Sequence, residues 1–423
     1  MTAANVSKPR ALYILMLLTL LTSLNYYDRN LISILVEPLK KDLGFSDGQI
    51  GLLSGLAFAT VYSLFSIPIA RYADGGRRAR VLGTSAVIWS VMTGLCGAAT
   101  GFGTMLAARF GVGVGEAGGA PTTHAIIAET FTPKRRGTAF AVIGLAGGLG
   151  VFAALAAGGY IAQHYGWRTA FYSGALPGLV VGLLLLLTVR DRARSQAGEA
   201  TSHNAVPFRE AIGILSRRRA YVWTCVGMAL AGIGAFGASA WMPAYLMRQF
   251  ALTPEQVGAR YSAIVGVATL AGILLGGVVG DFTSKRDARA PFYVLALSFA
   301  VTGPAMLYVL LSNSLDTVIA LTFPMTFIAA IWISPTYAAI QALSGARLRA
   351  TGAATFMLVV NLVGQGFGPS IVGWLSDGFA PAYGKDSLRF ALVAVVATNL
   401  IGAVCFLAAT RTARADIAEA DRS

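Results

Sequence analysis

The run from Leu12 to Asn30, L-Y-I-L-M-L-L-T-L-L-T-S-L-N-Y-Y-D-R-N, is apolar over most of its length and then carries a carboxylate and a guanidinium side by side. A helix of about 20 apolar residues crosses a hydrocarbon core of about 30 Å. An ionised side chain at that depth is costly, so it faces a protein-lined cavity, finds a partner or titrates. The stretch therefore predicts a membrane span and places Asp28 and Arg29 on a pathway through the protein.

Outward from this run the pattern repeats. The chain of 423 residues is 56% hydrophobic and 12% charged, with a mean hydropathy of +0.65, whereas soluble domains run near a quarter charged. Apolar windows predict twelve membrane helices at 11–38, 50–72, 80–99, 104–129, 137–162, 168–189, 220–248, 256–281, 290–311, 315–343, 350–376 and 387–410. The expectation is an all-α membrane protein of two six-helix bundles, 1–189 and 220–423. They are joined by a polar connection at 190–219, whose last part, P-F-R-E-A-I-G-I-L-S-R-R-R from Pro207, has the spacing of an interfacial amphipathic helix.

A net charge of +14 raises the question of nucleic acid, but the basic residues alternate with the spans instead of gathering on one face, which excludes that class. Most of the 33 Lys and Arg fall in segments on one side, at Arg77–Arg80, Lys134–Arg136, 190–219, Lys285–Arg289, Arg347–Arg349 and after Arg411. The positive-inside rule makes that side cytoplasmic and puts both termini there, as in a multi-pass protein of the cell (inner) membrane. Cys96, Cys225 and Cys405 lie inside spans and follow no metal or redox spacing. The first span lacks a small-residue cleavage site and reads as retained.

The two halves share a repeat. F-S-D-G-Q-I-G at Phe45–Gly51 matches L-T-P-E-Q-V-G at Leu252–Gly258, and the same offset carries Asp74 onto Asp281. Each aspartate ends the second span of its half and precedes basic residues, Arg77 and Arg78 in one and Lys285 and Arg286 in the other. Paired repeats of this kind belong to transporters whose two bundles rock about a site near the midplane. Asp74, Arg77, Arg78, Asp281 and Lys285, with Glu129 at the end of the fourth span and Arg136 in the basic segment after it, form a candidate cytoplasmic gate of charge-assisted hydrogen bonds. These loops resemble the signature of the major facilitator superfamily. Asp281 fits it with Gly277, Gly280 and Lys285, while the first loop departs from it at Ala70 and in the glycine pair after Asp74.

In the fourth span, A-R-F-G-V-G-V-G-E-A places Arg109 and Glu116 two helical turns apart on one face, separated by about 10 Å along the axis. Glycines 111, 113 and 115 allow close approach of a neighbouring helix. Asp28 and Glu116 fall at similar depth, about 15 and 18 Å below the outer ends of their spans. Desolvation penalises an ionised carboxylate and a nearby arginine offsets that penalty, a balance suited to a proton-binding switch. Asp28 and Arg29 are adjacent, about 100° apart around the helix, so only one can point straight into a given cavity. His124 is a weaker candidate for proton relay. Tyr26, Tyr62, Phe65, Trp241, Trp332, Tyr337 and Phe356 are candidate walls for an acyl chain.

N-Y-Y-D-R at 25–29, V-G-V-G-E-A at 112–117, G-W-R at 166–168, P-G-L at 177–179 and L-L-L-L-T-V-R at 184–190 are together similar to the Spinster-like branch of the superfamily. The resemblance implies a secondary transporter that moves amphipathic lipids, such as sphingosine phosphate or lysophospholipids, coupled to ions. It also implies that Asp28, Arg29 and Glu116 line the functional cavity. Gly118-Gly119 departs from the branch, and no cation lies well inside spans seven to twelve, Arg260 being the nearest; an anionic headgroup would rely on Arg29 or Arg109. A transporter of small organic anions or drugs is the alternative. A membrane-embedded lipid enzyme would need a nucleophile, base or metal constellation, and the three scattered histidines supply none. A non-transporting sensor would keep the fold without a titrating carboxylate. No G-x-x-x-x-G-K loop is present, so no nucleotide cofactor is expected. By analogy with the superfamily the chain is expected to act as a monomer.

Overall fold

The computed structural model describes residues 7–191, 206–284 and 286–422, and the side chains of Asp74, Asp281 and Ser284 are outside that description. The predicted gate side chains of Asp74 and Asp281, and Lys285 as a whole, therefore lie outside that description. Among the described residues there are helices and turns but no strand.

All twelve predicted windows are helical. The first is α1 (Lys8–Leu43), which starts with a proline in its first turn and stops at Gly44, whose φ of 69° is the left-handed conformation that ends helices. α2 (Asp47–Ser54) and α3 (Leu56–Asp74) make the second span, α4 (Arg78–Gly97) the third, and α5 (Phe102–Glu116) with α6 (Gly119–Thr130) the fourth. α7 (Pro133–Tyr165) and α8 (Trp167–Thr188) complete the first half. A short helix, α9 (Phe208–Arg217), precedes α10 (Arg219–Phe250), α11 (Pro254–Ser284), α12 (Ala290–Leu311) and α13 (Leu315–Ala330). Then come α14 (Ile333–Val359), a π-helical stretch at Val360–Phe367, α15 (Gly368–Tyr383), α16 (Ser387–Thr410) and α17 (Ala413–Arg422). Within α14, Gly345 at φ 68° separates the tenth span from the eleventh.

The internal repeat has a physical origin. Ser46 Oγ accepts from Gln49 N while Gln49 Oε1 accepts from Ser46 N, and Thr253 and Gln256 make the same reciprocal pair. Each is a capping box that satisfies donors at the start of its half's second span.

By length and apolar composition, nine helical stretches among the described residues could cross a membrane, and the ninth, Leu315–Thr410, contains three of the predicted windows. Missing from them is the fourth window, which holds Arg109 and Glu116 and is broken at Ala117–Gly118.

The chain divides into two compact units, Met1–Ser195 with Leu246–Gly266 and Gln196–Tyr245 with Val267–Ser423. In the first, α5 lies against α4 so closely that a Cβ on Gly115 would sit 2.6 Å from Trp89 N, and one on Gly111 would sit 2.5 Å from Met92 Sδ. Small residues at such crossings replace the hydrophobic drive that lipid removes. In the second unit, a Cβ on Gly232 of α10 would lie 2.9 Å from the Cα of Gly364 in the π-helical stretch. Its core is aromatic, with Phe299 stacked on Phe406 at 5.7 Å and Phe292 and Phe356 fully buried. α9 buries Ala211 and Leu215 in this core and leaves Phe208 and Ile212 exposed. Leu64, Leu187, Leu274 and Val278 are among many exposed apolar side chains on the spans, the surface a hydrocarbon solvent requires.

Candidate functional site

Five helices of the first unit bring the mid-span charges together. Adjacent residues on α1 point to different neighbours, as the 100° step demands. Asp28 accepts a hydrogen bond from Thr93 Oγ1 on α4 at 2.6 Å, and its Oδ1 lies 3.8 Å from Arg109 Nη1 on α5. Arg29 turns the other way and its Nε donates to Glu116 Oε2 at 2.5 Å. The pairing is thus crosswise: each ion of α1 meets the opposite charge on α5, two turns apart. Arg109 is anchored further through Nε to the carbonyl of Leu53 at 3.4 Å.

The network is dry. Asp28 is 2% exposed, Arg109 1% and Glu116 0%. Arg29 is partly accessible, its guanidinium carbon 4.7 Å from the ring centres of both Phe58 and Tyr62, which stack on each other. Those aromatic faces stabilise the cation without neutralising it. One oxygen of each carboxyl, Asp28 Oδ1 and Glu116 Oε1, is buried with no hydrogen-bond partner among the described residues. A carboxyl with an unused oxygen has a place to take a proton.

Of the predicted cavity residues, Arg29, Arg109 and Tyr62 meet here. Tyr26 is exposed on its edge and packs toward Gly147 of α7, and Phe65 is exposed. In the second unit Tyr337 Oη donates to Met357 Sδ at 2.9 Å and its ring meets Phe356 edge-on, while Trp332 packs near Phe299. Trp241 corrects its assignment as a cavity wall: it is fully buried and its Nε1 donates to Pro369 O at 2.9 Å, a core position between α10 and α15. Phe356 is likewise core. His124 packs edge-on against Phe140, and Arg260 is exposed.

At the ends of the helices rich in basic residues, Arg78 pairs with Glu129. Arg136 instead binds carbonyls, Phe131 O at 3.0 Å and Ala128 O at 2.6 Å, closing the C-terminus of α6. Arg77 lies over the ring of Tyr72 at 5.0 Å. In the second unit Asp287 accepts from the backbone N of Arg289 at 2.9 Å and from Arg414 Nη2 at 3.0 Å. Those contacts, the backbone one foremost, hold its carboxyl below the usual range.

Sequence reasoning passed over Thr93 and Phe58, whose residue types are ordinary in a span. It also missed a network at the opposite helix ends, within the first unit, where Arg248 grips Asp47 with two bonds of 2.7 Å and Glu37 with another of 2.7 Å, and Lys40 adds to Asp47. Of these residues Asp47 alone falls in a quoted motif, the F-S-D-G-Q-I-G repeat, which gives it no partner.

Helices spanning a membrane twelve times, with a buried ion network in the first half, define a polytopic membrane transporter. Residues 18–369 match the Major Facilitator Superfamily, and the chain belongs to that superfamily, whose members are transporters and not enzymes. It is 35% identical over 409 residues to an MFS-type efflux pump of Mycolicibacterium smegmatis, covering 96% of this chain and 94% of the pump. It is 26% identical to a bacterial homolog of the human lysosomal transporter Spinster, crystallised inward-facing and unoccupied, with a TM-score of 0.87 over 97% of this chain and 99% of that one. The sphingosine-1-phosphate transporter SPNS2 of Danio rerio is 26% identical over 420 residues, 91% of this chain and 81% of SPNS2. The Spinster-like motifs of the first half thus sit within a chain-long resemblance.

Proposed function

We propose that the chain is a secondary active transporter that works by alternating access, is coupled to protons through Asp28 and Glu116, and moves an amphipathic lipid of the sphingosine phosphate or lysophospholipid type. The observation that carries this reading is the crosswise network in which one oxygen of each buried carboxyl, Asp28 Oδ1 beside Arg109 and Glu116 Oε1, accepts no hydrogen bond among the described residues. A proton on Glu116 removes the charge that holds Arg29. The guanidinium, still cradled by Phe58 and Tyr62, becomes free to take an anionic headgroup, which ties proton and cargo to the same cation. Asp28 and Arg109 form the second pair, buried on both partners. The chain acts as a monomer in the inner membrane with both termini cytoplasmic. Arg78 with Glu129 contributes to a cytoplasmic gate.

The efflux pump relative favours a second reading, extrusion of small organic anions or drugs by the same network. Uptake of labelled lysolipid, sphingosine phosphate and a small organic anion into proteoliposomes, with and without a pH gradient, separates the two. Gradient-driven lipid movement is expected, reduced at least about tenfold in Asp28→Asn and Glu116→Gln. Transport of the anion alone would favour the second reading, and full gradient dependence in both variants would return the carboxylates to a structural role.

A further inference from the structure

In the second unit, polar groups inside the spans are mostly turned back on their own helices. Thr302, Thr322, Thr336 and Thr398 each donate to a carbonyl three or four residues earlier, while the carbonyl oxygen of Asn399 is fully buried against Gly234 without a hydrogen-bond partner among the described residues. Asn361 and Gln365 behave differently. Both lie in the π-helical stretch V-N-L-V-G-Q-G-F that interrupts the eleventh span. Both are half-buried, and neither carboxamide has a partner among the described residues. Counted from Ala350 at the basic end of the span, they lie about 16 and 22 Å into the hydrocarbon layer.

A carboxamide with no partner is costly against lipid tails, and the half-burial of Asn361 and Gln365, unlike that of Asn399, leaves them open to water or a ligand. The helix around them agrees. Its glycine face, Gly364 and Gly368, is occupied by α10. Leu358 and Phe367 supply an exposed apolar flank suited to lipid. The remaining stripe runs in four-residue steps from Met357, which meets Tyr337, to Asn361 and then Gln365. π-helical turns recur at functional sites because they re-aim such a stripe.

We propose that Asn361 and Gln365 wall the water-accessible path of this transporter and form a subsite for an uncharged hydrogen-bonding group of the cargo, a hydroxyl or amide. The cargo part rests on the amphipathic reading above; the accessible wall does not. Each carboxamide offers one acceptor and two donors without charge, which matches a hydroxyl that both gives and takes a hydrogen bond. A ligand lacking that hydroxyl would leave the amides unpaired, so the pair selects for it.

Two measurements on the full chain test this. In a background with Cys96, Cys225 and Cys405 changed to Ala, Asn361→Cys and Gln365→Cys are expected to react with the charged thiol reagent sulfonatoethyl methanethiosulfonate at least about tenfold faster than Leu358→Cys. Equal or slower reaction in monodisperse protein overturns the accessible wall. In nanodiscs, wild type is expected to bind oleoyl lysophosphatidic acid about tenfold more tightly than its 2-deoxy analogue. The Asn361→Leu, Gln365→Leu double variant is expected to lose that preference, its affinities for the two lipids falling within about twofold of each other. An unchanged preference overturns the subsite. Rapid labelling of both cysteines with binding of neither lipid supports the wall and overturns the lipid cargo.

Discussion

Inside the spans of the first unit four ionisable side chains, Asp28, Arg29, Arg109 and Glu116, close on one another. In the second unit the one buried charge among the described residues is Arg218, at a helix end where its Nη1 donates to Leu343 O at 2.7 Å. Its interior is held by Phe292, Phe299, Phe356 and Phe406 and by hydroxyls bonded to their own backbones. Aromatic contacts and small-residue packing dominate the interior of the second unit. A buried ion pair is weak support for stability, so the ions of the first unit call for a role beyond packing.

The sharpest way to break the contrast is to strand one of those ions. Arg109→Leu leaves Asp28 buried and uncompensated, and a loss of about 3–5 kcal/mol is expected in detergent unfolding. Adding Asp28→Leu should return most of it, making the first unit resemble the second. If the double variant stays as unstable as the single, Arg109 matters through Leu53 and Phe58 and not through charge.

A smaller effect separates packing from charge. Gly115→Ala presses a methyl group on the Trp89 backbone, and Gly232→Ala does the same against Gly364, so each is expected to cost about 1–3 kcal/mol. Gly115 precedes Glu116, and its variant should also weaken gradient dependence of transport; the Gly232 variant should lower total activity with the gradient ratio intact. Equal ratios in the two would detach the glycine crossing from the switch.

The smallest effect concerns Asp287. Its carboxyl titrates below the usual range, so the stability that its contacts with Arg289 N and Arg414 contribute is complete above the unfolded carboxylate value and is lost as pH falls through the lower folded one. Asp287 is half-buried and Arg414 exposed, and salt should screen the Arg414 part. Unfolding midpoints of wild type and Asp287→Asn are expected to converge toward low pH; a constant gap would sink the assignment.

The twelve windows could be read because hydrocarbon thickness dictates their length, and Asp28, Arg29, Arg109 and Glu116 because charge is anomalous in such windows. Their crosswise pairing could not, since a 100° step says that neighbours diverge without saying which helix each will meet. Trp241 misled because an indole serves a core and a cavity equally well, and only its bond to Pro369 O decides. The grip of Arg248 on Glu37 and Asp47 joins positions about two hundred apart in sequence, beyond any local pattern. The π-helical register of Val360–Phe367 leaves no compositional trace, and with it Asn361 and Gln365 passed as ordinary span residues.

The charged fourth window bears on how the protein is made. At a helix centre a charged residue opposes entry into the bilayer by about 2.5–3.5 kcal/mol, and this window carries both Arg109 and Glu116. Each finds its counter-ion on α1, synthesised earlier. The fourth span should therefore enter the membrane only with the first beside it. Glycosylation mapping is expected to find the isolated segment 102–130 outside the bilayer and the same segment inserted when residues 1–101 precede it; insertion alone would show that the ions found each other after assembly. Biosynthesis would then assemble the switch before the second unit has left the ribosome.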